Sequence, residues 1–286
     1  MRSSWDGWGS GLVGVVIFSG SLPATRVAVG GLSPLFLTSA RAAIAAAIGA
    51  ILLATARQRR PAVADILPLA VVSLGVVIGF PLLTAVALQT ITAARSIVFV
   101  GLLPLATALF AVVRAGERPR GPFWLFSGLG AAIVAGFALA NGGEGAATGD
   151  AAMLAAILVC GLGYAEGARL SRRLGGWQVI SWALLIAAPL AVVAAVATRP
   201  ADFAAVSPAA WIGLGYVSVF SMLIGFVFWY RGLARGGIAG VGQLQLLQPF
   251  LGLALAAALL HETVAWPMAA ATGAVVGCVA LARRFA

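Results

Sequence analysis

Two stretches of the chain carry the same residues at the same spacing, offset by 145 positions (249 − 104). Leu102 and Pro104 are followed by Glu117, Pro122 and Gly128. Leu247 and Pro249 are followed by Glu262, Pro267 and Gly273, each at that offset and without a gap. Leu88 with Leu233 and Ala94 with Ala239 extend the register backwards. A repeat this long constrains the fold before any local propensity does, because both copies must form the same unit and pack together.

The solvent of these units follows from composition. Of 286 residues, 62% are hydrophobic and 9% charged, with mean hydropathy +1.06. Soluble domains average roughly 25% charged residues, so this chain cannot cover a water-facing surface and reads as an integral membrane protein. Apolar runs of roughly 20 residues recur along it, as helical spans require; a membrane barrel would show short alternating segments. Before the first run stand one Arg and Trp5-Asp6-Gly7-Trp8, with no small-residue cleavage site, so that run is read as a retained helix rather than a signal peptide.

Ten spans are expected, at about 8–29, 34–56, 64–89, 92–114, 121–139, 150–172, 177–197, 208–232, 237–260 and 265–283. The acidic, Gly- and Ala-rich link from Asn141 to Asp150 divides them into two sets of five. All 18 basic residues are Arg. Arg2, Arg57, Arg59, Arg60, Arg114, Arg118, Arg120, Arg169, Arg172, Arg173, Arg231, Arg235, Arg283 and Arg284 flank the same ends of the spans. The opposite links hold Glu144, Asp150, Asp202, Glu262 and Arg199. By the positive-inside rule both termini are cytoplasmic, and the net charge of +10 is a topology signal rather than a nucleic-acid footprint. Five spans per half reverse the second half, placing the Glu117 link inside and the Glu262 link outside. The expected fold is an all-α integral membrane protein, ten transmembrane helices as two inverted five-helix repeats, 1–140 and 150–286. Duplicated halves in a membrane point to a carrier with its site between them.

Chemistry is largely excluded. Without Lys there is no side-chain amine for a Schiff base; His261 is the sole His, so no HExxH zinc site can form. There is no GxSxG motif and no mid-membrane carboxylate dyad. Cys160 and Cys278 lie in apolar runs and read as packing residues. We therefore expect no catalytic residue, metal or cofactor, and no enzyme activity.

With these features the chain resembles the drug/metabolite transporter superfamily, EamA type. The resemblance rests on Leu103-Pro104…Gly116-Glu117-Arg118-Pro119, on Gln248-Pro249…His261-Glu262-Thr263, and on the links Ala87–Ala94 and Gly232–Ala239. In size and termini it is most similar to YddG-type amino-acid exporters. The resemblance implies a basket-like bundle whose cavity is lined by helices 1, 3, 4, 6, 8 and 9, with helices 5 and 10 peripheral.

Pro104 and Pro249 fall midway along spans 4 and 9, and each deprives a carbonyl, that of Val100 or Gln245, of its helical donor. Paired hinges or site walls are one reading, static kinks the other. Pro23 and Pro81 do the same to Ser19 and Val77, and Ser19-Gly20-Ser21-Leu22-Pro23 reads as a partly unwound stretch or as hydroxyls bonded back to their helix. Gly75–Gly79 and Gly273–Gly277 are faces for close helix packing. Arg26, Arg41 and Arg95 lie near the outer ends of spans 1, 2 and 4, either snorkelling or pairing, or binding a substrate carboxylate, with Arg95 the first choice. Glu166 is the clear carboxylate within a span, and the lack of a mid-membrane acid favours facilitated transport over proton antiport. Glu117 and Glu262 are expected to accept hydrogen bonds near the N-termini of spans 5 and 10, with gating or proton sensing the other reading.

The candidate cavity lining is Ser19 and Ser21; Ile78, Phe80 and Thr84; Arg95, Ser96 and Phe99; Tyr164; Phe220, Ser221, Phe228 and Trp229; and Gln243 and Gln245. An aromatic lining with few hydroxyls and amides suits neutral or aromatic amino acids and related metabolites. Lipophilic cations or purines are the alternative, and the former would favour a buried carboxylate. The partners implied are a small-molecule substrate and the lipid bilayer of a bacterial-type inner membrane, not nucleic acid, in a monomer or weak oligomer.

Overall fold

The computed structural model describes residues 2–115, 120–140, 146–236 and 242–285, and every regular element among them is helical. Among these residues seven helices are long and apolar enough to cross a membrane: Gly7–Val29, Pro34–Thr55, Val63–Thr90, Gly121–Ala140, Ala146–Leu174, Gly176–Ala197 and Pro208–Gly232. Three shorter apolar helices, Ala93–Thr107, Leu244–Leu260 and Trp266–Ala282, stand where the fourth, ninth and tenth spans are expected. Their outer faces are apolar: Leu67, Leu139, Val193 and Ile212 are each more than two-thirds exposed, a surface that only lipid can solvate.

Several of these rods are segmented. In the first half α1 (Arg2–Ser19) breaks into α2 (Ser21–Val29), followed by α3 (Pro34–Thr55). Then α4 (Val63–Val72) passes through a π-helical stretch, Ser73–Gly79, into α5 (Phe80–Thr90). After α6 (Ala93–Val100), α7 (Leu103–Ala115) and α8 (Gly121–Ala140), the second half begins with α9 (Ala146–Leu174) and α10 (Gly176–Ala197). There α11 (Pro208–Gly215) meets a second π-helical stretch, Tyr216–Ile224, before α12 (Gly225–Gly236). A 3₁₀ stretch, Gly242–Leu247, leads into α13 (Gln248–Leu260), and α14 (Trp266–Ala282) ends the bundle.

Local chemistry sets these boundaries. Ser33-Pro34 and Ser207-Pro208 start helices alike: the serine hydroxyl accepts from the N–H of Phe36 or Ala210, and the proline takes a first-turn position where no donor is needed. Thr92 caps α6 by accepting from the Arg95 N–H at 3.1 Å. Gly175, at φ 90°, makes the tight link from α9 to α10. The prolines fall where the spans are interrupted. Pro104 is the second residue of α7 and Pro249 the second of α13, while Pro81 and Pro23 lie in the first turns of α5 and α2. Each stands just after an interruption of its span: the α1–α2 break, the first π stretch, the α6–α7 junction and the 3₁₀ stretch. Ahead of α7 the chain tightens, with Leu102 N–H bonding the Phe99 carbonyl at 2.9 Å.

The two halves break alike. The Phe80 N–H reaches back five residues to the Gly75 carbonyl, and the Gly225 N–H reaches back five to that of Phe220; these two bonds are repeat mates. Pro81 contributes to the first π stretch by removing a donor, but Phe226 occupies the equivalent position in the second, so proline is not the common cause. Packing between the halves is reciprocal. The α1/α2 rod lies on α11 and α12, and α9 lies on α4 and α5; α3 faces its own mate α10, and α8 its own mate α14. Self-pairing of equivalent elements is the mark of a two-fold relation. Glycines permit the closest approaches. A Cβ on Gly75 would stand 2.5 Å from the Val159 carbonyl and 3.0 Å from the Gly163 Cα, so α9 and the first π stretch touch backbone to backbone. Gly273 and Gly277 differ from expectation: among the described residues nothing lies within 4 Å of their Cβ positions.

Candidate functional site

Where the halves meet lies a narrow cavity of about 40 Å³, room for a few water molecules. Its walls are matched across the repeat. Val76 and Ser221 come from the two π stretches, Pro81 and Phe226 from the segments just after them, and Leu103 and Gln248 are the first residues of α7 and α13. Each pair keeps the 145-residue offset. The positions repeat but the chemistry does not, since the second half supplies the hydroxyl and the amide where the first supplies Val and Leu. π-helical turns are uncommon and concentrate at functional sites; here both face one cavity.

The α1–α2 break adds Phe18, Ser21 and Leu22 to the walls. That break is held from the second half: the Tyr216 hydroxyl donates to the Ile17 carbonyl at 2.7 Å, and a Cβ on Gly20 would stand 2.4 Å from it. A side chain at 20 would displace the Tyr216 hydroxyl. Phe18 and Tyr164 meet Phe226 edge-on at 5.0 and 6.2 Å between centroids, so the wall is aromatic. Its polar thread runs across the halves. The Ser21 and Ser221 hydroxyls lie 2.7 Å apart, and Arg41 Nη2 donates to Ser221 Oγ at 3.4 Å.

Arg41, from α3, is the residue that sequence reasoning placed elsewhere. It stands seven residues into its helix (41 − 34), about 10 Å along the axis, within reach of the surface for a snorkelling side chain. Instead it is 5% exposed and turned into the cavity. The implied lining left out helix 2, yet α3 contributes the cavity's charge. Cys160 and Gln248 were also missed.

Of the expected lining residues the cavity holds Ser21, Phe80, Tyr164 and Ser221, with Pro81 beside them. Ser19 lies next to it, donating to the Val15 carbonyl at 2.7 Å and to that of Gln248 at 3.4 Å. The others are placed differently. Thr84 and Ser96 donate to carbonyls of their own helices. Phe99 is wholly buried in the core, Ile78 packs on a second core cluster, and Trp229 is wedged against Gly14. The Phe228 carbonyl accepts from Ser10. Phe220 is 46% exposed and stacks on Tyr216, and Gln245 sits half-buried in the 3₁₀ stretch. The Gln243 and Pro104 side chains, and Glu117, lie outside the described residues.

Arg95, the first choice for a substrate carboxylate, is committed to structure. Its Nε and Nη2 donate to the two Asp150 oxygens at 2.8 and 2.5 Å, Nη2 also donates to the Ala138 carbonyl, and the guanidinium covers the Phe137 ring at 5.3 Å. The geometry is bidentate and joins α6 of one half to α9 of the other. Glu262 also differs from expectation. Its carboxylate accepts from the Ala93 and Ala94 N–H groups at 3.0 and 2.8 Å, capping α6 rather than span 10. A carboxylate at a helix N-terminus meets free donors and the positive end of the dipole. We predict that Glu262→Ala lowers stability by about 1–2 kcal/mol, with Glu262→Gln intermediate, in thermal unfolding of the detergent-solubilised protein.

At the arginine-rich end Asp65 of α4 pairs with Arg173 of α9, and a surface cavity of about 420 Å³ opens beside Arg57, Arg59, Arg60 and Trp182. Cross-half ties therefore close the bundle at both ends, with the cavity between.

A segmented, lipid-facing helical bundle with a central cavity shared by two matched halves is the build of a membrane transporter. The EamA-like transporter family model matches residues 6–139 and again 147–284, and the chain belongs to that family. It is 61% identical over 286 residues, 100% of both chains, to a Bacillus subtilis (strain 168) protein named as the uncharacterized transporter YdeK. A solved crystal structure matches with a TM-score of 0.67 at 23% identity, covering 98% of this chain and 97% of the other; that likeness bears on the fold alone.

Proposed function

We propose that this transporter exports neutral or aromatic amino acids and related small metabolites by alternating access between two inverted five-helix repeats, 1–140 and 150–286. The observation that carries the reading is the cavity itself: matched positions of both halves wall it, with aromatic rings and a short polar thread. Ten spans give each half five, and an odd number inverts the second copy. The arginine-rich end is then cytoplasmic in an inner membrane, with both termini there.

The ties at the two ends suit such a cycle. Opening outward parts Arg95 from Asp150 and Glu262 from α6; opening inward parts Asp65 from Arg173. The buried acids within the spans are held by arginines, which favours movement down a gradient. Weakening one end biases opening toward that side, so Asp65→Asn is expected to raise alkylation of Cys160 from the arginine-rich side and leave the other side unchanged. Reconstituted protein should give saturable flux for at least one neutral amino acid in a full panel. Flux for none of them, with flux for a lipophilic cation or a purine, would replace the substrate reading.

A further inference from the structure

We propose that Arg41 is the carboxylate-binding residue of the central cavity, so that the solute carried is an amino acid or small organic acid that presents its carboxylate to this guanidinium. The inference rests on the transport reading and names what the site selects.

The argument starts from charge pairing inside the bundle. Asp150 is bonded to Arg95, Glu166 to Arg169 and Asp65 to Arg173, while Glu262 is spent on the α6 N-terminus. Arg41 differs from all of these. It is 5% exposed, no carboxylate lies within ion-pair distance of it among the described residues, its Nε has no hydrogen-bond partner there, and its guanidinium makes one long bond, to Ser221 Oγ at 3.4 Å. A guanidinium carries five donors in a planar fork shaped for a carboxylate, and an ionised group held in a protein interior without a counter-charge is a standing cost. Inside a membrane such a residue marks a site whose partner is still to arrive.

The walls supply the other groups an amino acid needs, although at about 40 Å³ the cavity must widen to admit one. Val100 and Val76 line the cavity. Proline stands four residues after Val100, at 104, and five after Val76, at 81, across a π turn, so neither carbonyl can take that residue's N–H as its helical donor. Such carbonyls accept from an ammonium group. Phe18, Phe80 and Phe226 offer the apolar surface for a side chain. A lipophilic cation would meet the guanidinium with no acid in the wall to offset it.

The test uses purified full-length protein in detergent and three probes: L-phenylalanine, 3-phenylpropionate, which lacks the ammonium, and L-phenylalaninamide, which lacks the carboxylate. Thermal shift and equilibrium binding are read on wild type, Arg41→Gln and Arg41→Lys. The amino acid should bind best, the propionate more weakly and the amide not measurably. Arg41→Gln should lose about thirtyfold or more in affinity for both acids, Arg41→Lys should recover part of it, and the ligand-free Gln variant should melt above wild type because the unpaired charge is gone. Equal binding of amide and acid, binding of none of the three, or an Arg41→Gln variant that melts lower yet keeps its affinity would overturn the assignment. Because binding is read without flux, an inactive transport panel defeats the transport reading alone, and equal transport of amides and acids defeats the Arg41 assignment alone.

Discussion

Asp150→Ala is expected to cost about 3–5 kcal/mol of stability, the range for breaking a buried ion pair by deleting one partner. Both side chains are at most 10% exposed, and the contact is bidentate, so the carboxylate is a direct counter-charge for a guanidinium in the bundle interior. Removing it takes that counter-charge away, and of the described contacts that stay the Ala138 carbonyl and the Phe137 ring supply partial charge only. Replacing both partners together, Asp150→Leu with Arg95→Met, should restore most of the loss, because apolar side chains of similar size avoid the desolvation cost altogether. The two variants separate a charge effect from a packing effect. Unfolding in detergent that shows Asp150→Ala within about 1 kcal/mol of wild type would mean that the pair is solvated and does not hold the halves together.

Gly75→Ala should be the second large effect. Its new methyl carbon would stand 2.5 Å from the Val159 carbonyl, and backbone cannot move aside as a flexible side chain would. Overpacking of this kind costs about 1–3 kcal/mol. The larger effect is on transport, because the same crossing carries Val76 on one strut and Cys160 on the other, both lining the cavity. Prising α9 from the π stretch displaces those walls, and flux in proteoliposomes should fall more than tenfold. Gly277→Ala is the control: nothing lies within 4 Å of its Cβ position, and a helical Gly-to-Ala change without a clash is neutral or stabilising by up to about 1 kcal/mol. Equal effects at the two positions would show that glycine is needed for flexibility in general and not for this contact.

Much of the architecture is legible in the sequence because it is written in bulk properties. Hydropathy places the apolar helices, the offset of Pro104 and Pro249 aligns the halves, and the arginines mark one end. The site is less legible because it depends on which way a helix is rotated. Arg41 in the run Pro34–Thr55 reads as a snorkelling end residue until α3 is seen packed on α10 with that face turned inward. The π stretches leave almost no periodic signal, since one extra residue per turn over seven or nine residues resembles an ordinary apolar helix. The partners of Arg95 and Glu262 lie 55 and 169 residues away and answer to tertiary packing, which local reasoning does not reach: it offers pairing without a partner for Arg95 and the adjacent helix for Glu262. The prolines are legible because a missing donor shows in the sequence, whereas the form of the interruption it accompanies, a π stretch, a 3₁₀ stretch or a plain break, does not.

The central claim is that the cavity between the halves opens alternately to the two sides of the membrane. Cys160 lines it, and the chain's other thiol, Cys278, is buried outside it, so Cys278→Ser leaves a single reporter in the cavity. In sealed vesicles of either orientation, a membrane-impermeant thiol reagent should reach Cys160 from both sides, and the amino acid that carries flux should change both labelling rates. Labelling from one side only, or rates indifferent to that amino acid, would contradict alternating access through this cavity.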